Sequence, residues 1–328
     1  MMRQILQVLK TIPMRLMCLM FVPLALTLAA HTACAQVESA AWPTLRPDAT
    51  LERELRALAA GVRGDVGIYV RHLRTGRGVA IRADEAYPTA SMVKVPIMIG
   101  IHDAVARGQL HYSDTLMWRD SLRYTGEDDL FNHLRDSTRL ALPMIQLLSI
   151  TTSDNAASLW LQGLVGGAAI NAWLAANGFD STRVNSRTAG REEARKHYGW
   201  GQTTPREMAE LLVRIRSGAA VSSAASNAMY RTLTRIYWNG EALSQIPAWV
   251  QAASKQGSVD RSRSEVVLVN APGGDYVFAV ITKNQIDERY TNDNEGWVLH
   301  RAVSALLWKR FEPKYPFRPA GGAELFVP

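Results

Sequence analysis

The sequence predicts a mixed α/β (α+β) fold: an antiparallel sheet built from both ends of the chain and flanked by helices, with a central all-helical subdomain. Three observations predict it. Alternating apolar strands lie early in the chain, three further strand-like runs lie near its end, and the long middle is helical by periodicity. At 328 residues the chain can bury a large core as one catalytic unit of two associated lobes.

The first segment reads as an export signal. Arg3, Lys10 and Arg15 precede the apolar run 16–30, and the small-residue site Ala33-Cys34-Ala35 precedes Gln36, so residues 1–35 are expected to be a cleaved signal peptide. Pro23 interrupts the apolar run, which is shorter than the roughly twenty residues of a spanning helix. The expectation is an exported protein, periplasmic or secreted, with no stable membrane span after cleavage. Cys34 leaves a lipoprotein as the alternative, and His31 speaks against a lipid-attachment box. Both cysteines, Cys18 and Cys34, fall in this segment, so the body offers no disulfide, thiol nucleophile or cysteine-bound metal. Losing three cations with it lowers the formal net charge of +7, and the body has no basic run that points to nucleic acid.

Residues 36–50 read as a polar, proline-containing linker. Thr50 is a candidate cap for a helix from Leu51 to about Ala60, ended by Gly61. Val66, Ile68 and Val70 alternate as a strand, and a turn at Thr75-Gly76 leads to a second through Val79 and Ile81. Pro143 opens a helix carrying Met144, Ile145, Leu147 and Leu148, and another is expected over 170–177 before Gly178. Thr204-Pro205-Arg206-Glu207 is a capping box, followed by Met208, Leu211, Leu212 and Ile215 at helical spacing. Strands over 250–258, 265–270 and 276–282 and a helix over 296–310 complete a domain expected at 51–313. It divides into a sheet lobe (51–83 and 245–313) and a helical lobe (84–244), and a cleft between them is a natural site. The tail 314–328 is expected to be poorly ordered.

The chemistry starts at Ser91-Met92-Val93-Lys94. Residues three apart share a helix face, so the Lys94 amine can lie beside the Ser91 hydroxyl. A serine hydroxyl is a weak nucleophile at neutral pH and needs a neighbour to take its proton. Lys94 can do so when neutral or through water, and the apolar run 95–101 favours the neutral amine. Taken alone the pair is one that chance supplies about once in a chain of this length, and a helix cap with a surface lysine explains it equally. Ser153-Asp154-Asn155 is rarer, due in about one such chain in twenty; an N-cap with an acid explains the serine and aspartate but not all three residues. Lys255-Gln256-Gly257 lies on a candidate strand, where glycine permits close approach to the backbone.

These three elements, in this order, resemble the active-site set of the penicillin-recognising serine enzymes, the class A β-lactamases and related penicillin-binding proteins. The resemblance runs from about residue 51 to 310. It implies that Ser91 is the acylated nucleophile, Lys94 its proton partner, and Ser153 the group that passes a proton to the leaving nitrogen. Asn155 would hold the substrate amide, and Lys255 would support Ser153 and help bind the substrate carboxylate. The backbone N–H groups of Ser91 and Ser258, beside Gly257, would form the oxyanion hole. Arg261 or Arg263 would add a bidentate carboxylate contact, a solvated strand end being the alternative for each.

Two departures from the family pattern stand out. Gln256 replaces the threonine or serine whose hydroxyl meets the substrate carboxylate. The loop glutamate that activates the deacylating water in class A enzymes falls, counting back from Thr204-Pro205, at Thr188; the loop 185–202 instead holds Glu192 and Glu193 among Arg187, Arg191, Arg195 and Lys196. Glu192 is the candidate base from a neighbouring position, and a surface acid paired with those arginines is the alternative.

The function so implied is an exported, class A-like serine β-lactamase acting through an acyl-enzyme on Ser91. A penicillin-binding D-Ala-D-Ala carboxypeptidase or other slow-deacylating serine hydrolase is one alternative, and a non-catalytic β-lactam or peptidoglycan binding or sensor module is another. The expected partner is a small-molecule β-lactam or D-Ala-D-Ala peptide, bound by a monomer without cofactor. The seven histidines are scattered with no H-x-H or paired helical arrangement, so no metal is expected. Tyr124 and Trp200 are candidates for the cleft lining.

Overall fold

The computed structural model describes residues 42–125 and 129–327. The expected signal segment with Cys18 and Cys34, and the start of the linker, lie outside the described residues.

The end of the linker forms β1 (Arg46–Pro47), followed by α1 (Ala49–Ala59), β2 (Asp65–His72) and β3 (Arg77–Ile81). The cap of α1 is Asp48 and not Thr50. Asp48 has extended backbone (φ −113°) and its carboxylate accepts from Leu51 N at 3.1 Å, whereas Thr50 is already inside the helix. Gly76, at φ 73°, makes the β2–β3 turn in a conformation that L side chains rarely adopt.

The helical lobe begins after β4 (Tyr87–Pro88) with a 3₁₀ turn (Ala90–Val93) running into α2 (Lys94–Ala106). It continues through a small pair of strands, β5 (Thr115–Met117) and β6 (Arg139–Ala141), then α3 (Leu142–Thr151), α4 (Asn155–Val165) and α5 (Gly167–Ala176). A long loop is pinned at its base by β7 (Arg183–Val184) and β8 (Gly201–Thr203) and carries the short α6 (Glu192–Tyr198). Then come α7 (Pro205–Arg216) and α8 (Ser223–Leu233), and the chain returns to the sheet as β9 (Ala252–Val259), β10 (Ser262–Val269) and β11 (Tyr276–Lys283) before α9 (Glu295–Phe311).

The main sheet has the order β1-β3-β2-β11-β10-β9, antiparallel except where β1 joins β3. It is thus built from both ends of the chain, as expected. Its faces divide the core. On one side Val267, Phe278 and Val280 meet Leu51 and Leu55 of α1 and Leu299, Val303 and Leu307 of α9. On the other, Val266, Leu268, Ala279 and Ile281 belong to the core of the helical lobe with Met208, Leu211 and Leu212 of α7. Each such side chain contributes about 1.5–3 kcal/mol on burial, against the entropy of ordering it.

Helix α2 is apolar on every side and buried from Lys94 through His102, as a helix at the centre of a lobe must be. Gly100 lets α5 close on it: a Cβ there would stand 2.6 Å from Ile170 Cγ1. The sequence-predicted capping box forms only in half. Thr204 Oγ1 accepts from Glu207 N at 3.1 Å, but the Glu207 carboxylate accepts instead from Ser181 N, Thr182 N and Thr182 Oγ1 at 2.6–2.9 Å. Satisfying three donors outweighs returning one bond to the cap. The tail also departs from expectation, because its backbone is in use: Tyr315 O accepts from Trp308 Nε1 at 2.7 Å and Phe326 O from Gly240 N at 2.8 Å. Among the described residues no single helix is long and apolar enough to cross a membrane.

Candidate active site

The serine turn is built under constraint from three sides. Ala90 has φ 44°, a left-handed conformation that costs a non-glycine residue roughly 1–3 kcal/mol and is retained only where the surroundings enforce it. Thr89 supplies two of the restraints: its N–H donates to Gly201 O on β8, and its carbonyl accepts from Met92 N, both at 3.0 Å. The third is β9. A Cβ on Gly257 would lie 2.7 Å from Ser91 N and 2.8 Å from both Thr89 O and Ser264 Oγ, so glycine here admits the backbone of the nucleophile turn itself. Ser91 is half-buried, and Lys94 begins α2 one turn later with its N–H on the Ser91 carbonyl.

Ser153 stands in the tight passage from α3 to α4, with φ 64°. Two aspartates hold that passage. Asp154 caps α4 by accepting from Ala157 N at 2.7 Å, and its other oxygen accepts from Phe131 N at 3.0 Å. Asp129 answers from the Phe131 segment, accepting from Asn155 N at 2.9 Å and Ala156 N at 3.1 Å. Burial pushes the Asp154 carboxyl above its ordinary range and Asp129 adds to that, while the two N–H donors act the other way. Asp154 is therefore a clamp, and the reach of Ser153 and Asn155 into the cleft follows from it.

The two lysines converge on Ser153. Lys94 Nζ donates to Ser153 Oγ at 3.1 Å, to Asn155 Oδ1 at 2.8 Å and to the Ser153 carbonyl. Lys255 Nζ donates to the same Ser153 Oγ at 3.1 Å, and to Gln256 O and Oε1 at 2.9 and 3.1 Å. Both lysines are fully buried. Burial pushes the Lys255 amine well below the ordinary lysine range and Lys94 adds to the shift, with Glu241 and Glu265 opposing it. Gln256 is buried with Nε2 unpartnered among the described residues, so its free donor stands next to the lysine that its carbonyl oxygen holds.

Ser91, Lys94, Ser153, Asn155, Lys255, Gln256 and Gly257 are thus brought together, with Ser258 following on the same strand. The arginines are placed differently. Arg263, paired across the strands with Ser258, is fully buried and donates to the carbonyls of Val259, Ser262 and Arg289 at 2.7–3.0 Å, under the rings of Tyr290 and Trp297. Burying a guanidinium demands such partners, so its donors are spent on the fold. Arg261 is half exposed and donates to Gln285 O and Asn284 O. Glu192 is exposed at the start of α6, accepting from Gly190 N at 3.1 Å, and Glu193 pairs with Lys196. Arg191, read as a partner for Glu192, donates instead to Asn185 Oδ1 and Gln202 Oε1. Thr188 is buried with its hydroxyl on Ser186 O.

Sequence reasoning passed over two features. Asp129 carries no local signal, because its partners lie 26 and 27 residues away. Tyr237 N donates to Thr151 O and Trp238 Nε1 to Thr152 O, both at 3.0 Å, which sets an exposed aromatic pair directly before Ser153. Tyr124 and Trp200, read as cleft-lining candidates, meet edge to face at 5.2 Å. Among the described residues the cluster dense enough in carboxylate and imidazole to consider for a cation is Glu241, Glu265 and His300, buried beneath β9 and β10.

Comparison with known proteins agrees with this constellation. The β-lactamase enzyme family model matches residues 50–311. The structure of PBP-A is 25% identical with a TM-score of 0.73, covering 83% of this chain and 99% of that one, and a PBP-A mutant captured as an acyl-enzyme with penicillin G matches equally. A β-lactamase from Sphaerobacter thermophilus DSM 20745, at 24% identity and TM-score 0.72, covers 82% of this chain and 100% of that one; at that identity it supports the fold. With the serine turn, the paired lysines and a family match over most of its length, this chain belongs to the β-lactamase enzyme family.

Proposed function

We propose that the protein is a class A-like serine β-lactamase, exported to the periplasm or medium, that opens the lactam amide through an acyl-enzyme on Ser91. The observation that carries this is the convergence of the Lys94 and Lys255 amines on Ser153 Oγ beside the Gly257-locked serine turn. In this reading Lys94 takes the Ser91 proton, directly or through water. The N–H groups of Ser91 and Ser258 bind the developing oxyanion, each worth about 3 kcal/mol in such sites. Ser153 delivers a proton to the lactam nitrogen as the C–N bond breaks. Asn155 meets the substrate amide, and Lys255 with Gln256 meets its carboxylate, with Arg261 as the half-exposed cation nearest that strand end. Arg263 contributes by fixing the turn 259–262 through its carbonyl bonds.

Hydrolysis of the acyl-enzyme is assigned to a water activated from the loop 185–202, with Glu192 as the base. Its exposed carboxylate has one 3.1 Å bond to Gly190 N to release. A second reading, a penicillin-binding D-Ala-D-Ala carboxypeptidase or other hydrolase with slow release, is favoured by Thr188, which stands at the family's glutamate position with its hydroxyl turned to Ser186 O. Mass-resolved acylation and release of benzylpenicillin separates the two. Rapid turnover that slows in Glu192→Gln supports the first, an adduct lasting hours in the wild type supports the second, and no adduct on Ser91 sinks both.

A further inference from the structure

On the face of the sheet opposite Ser91, under β9, lies a polar cluster that acyl transfer does not use. Glu241, Glu265 and His300 place a carboxylate oxygen, another carboxylate oxygen and a ring nitrogen within 4.8 Å of one another, and none of the three is more than 2% exposed. Their surroundings differ. Glu265 accepts from Ser254 Oγ and Ala242 N, both at 2.8 Å, which favours its ionised form. Glu241 Oε2 lies 2.7 Å from His300 Nδ1, while Glu241 Oε1 and His300 Nε2 close no hydrogen bond among the described residues. Two carboxylates this close and this deep cannot both ionise without compensation. The compensating cations are Lys255 on β9, Arg263 on β10 and Arg301 on α9, with Lys94 of α2 facing Lys255 from the catalytic side. A divalent cation would add charge to a site that already holds its counter-charges.

We propose that Glu241, Glu265 and His300 are positioning residues that share protons with Lys255 and supply the counter-charge that keeps its amine an ammonium while it holds Ser153. This rests on the reading of Ser91, Lys94, Ser153 and Lys255 as the acylation machinery. At low pH the Glu241 carboxyl donates to His300 Nδ1, and the imidazole carries its proton on Nε2. When one proton leaves, the O–H proton passes to Nδ1 as the Nε2 proton is lost, so Glu241 becomes an anion that accepts from Nδ1–H. Nε2 closes no hydrogen bond in either form, so the tautomer follows Glu241. Burial pushes Glu241 up to about 8 and Glu265 up to about 7, and pushes His300 down to about 4, which keeps the imidazole neutral throughout. Negative charge thus appears beside Lys255 as the solution becomes alkaline, opposing loss of its proton.

The test uses the full mature chain. The rate of acylation by benzylpenicillin is followed against pH for wild type, Glu241→Gln and the conservative Glu241→Asp, while the tautomer of His300 is read by NMR in ¹⁵N-histidine-labelled wild type. The alkaline limb is expected to move to lower pH by about one unit in Glu241→Gln and to be largely restored in Glu241→Asp. His300 is expected to change from Nε2–H to Nδ1–H between about pH 7 and 9. One fixed tautomer over that range, an unmoved limb in a folded Glu241→Gln, or a stoichiometric divalent ion in the purified protein overturns the proposal. If wild type forms no adduct, the hydrolase reading fails, and the NMR measurement on the same sample still decides the proton exchange.

Discussion

Lys94 Nζ and Lys255 Nζ each stand 3.1 Å from one atom, Ser153 Oγ. A hydroxyl oxygen has two lone pairs and one proton, so two lysine donors fill its acceptor capacity and leave the O–H free to point into the cleft. That is the arrangement a proton donor to a leaving nitrogen requires. Ser153→Ala is expected to lower the acylation rate by about 10²–10⁴-fold, read as the burst with a chromogenic cephalosporin. Acylation within a few-fold of wild type would remove Ser153 from the proton path.

Gly257→Ala tests the serine turn from the opposite strand. The new Cβ meets two backbone atoms under 3.0 Å, so either β9 or the Ser91 turn must shift. A displacement of about 1 Å at a reacting group costs roughly 10²-fold in rate, and that loss is expected in acylation with the protein still folded. Unchanged acylation would mean that the turn tolerates the displacement.

Asp129→Ala removes the acceptor of two backbone N–H groups at the start of α4. Each is left to find water or go unpaired, and a loss of about 1–3 kcal/mol in denaturant unfolding is expected. Asp129→Asn should lose less, since its amide oxygen still serves one of the two donors.

Burial pushes His102 down to about 4, and its Nε2 lies 3.1 Å from Gln146 Nε2. A depressed histidine gives stability that is present above its unfolded value near 6.5 and lost as pH falls through the folded one. Glu241 and Glu265 have the opposite sign: raised carboxyls give stability present below about 4.5 and lost as pH rises through about 7 and 8. The melting temperature should therefore fall below pH 6.5 partly through His102, and His102→Gln should flatten that acid limb, a change of roughly 1–3 kcal/mol. A parallel offset with an unaltered limb would show that His102 does not titrate on unfolding.

Much of this was legible in residue patterns. Alternation at Val66, Ile68 and Val70 and the box at Thr204 located real elements because those signals are local. The three motifs singled out the side chains now found together, since a few residue types suffice to mark them. What escaped was settled by tertiary demand. Glu207 left its cap for Ser181 and Thr182, and Arg263 turned to carbonyls because its position on the central β10 is wholly buried. The pairing of Asp129 with the Asn155 segment has no sequence period to betray it. Glu241, Glu265 and His300 come from three separate elements and meet only when the sheet closes.

That closure has a kinetic side. Strand β2 pairs with β11 from Asp65 opposite Lys283 to His72 opposite Tyr276, so the centre of the sheet joins segments more than two hundred residues apart. The helices between them rest on shorter-range contacts and can gather first. A chain emerging in order completes its serine turn early, but the lysine and glycine that lock that turn reside on β9, one of the last strands to arrive. The nucleophile is consequently assembled late, when the sheet zips shut, and any variant that slows β2–β11 pairing should delay the onset of acylation on refolding by the same interval.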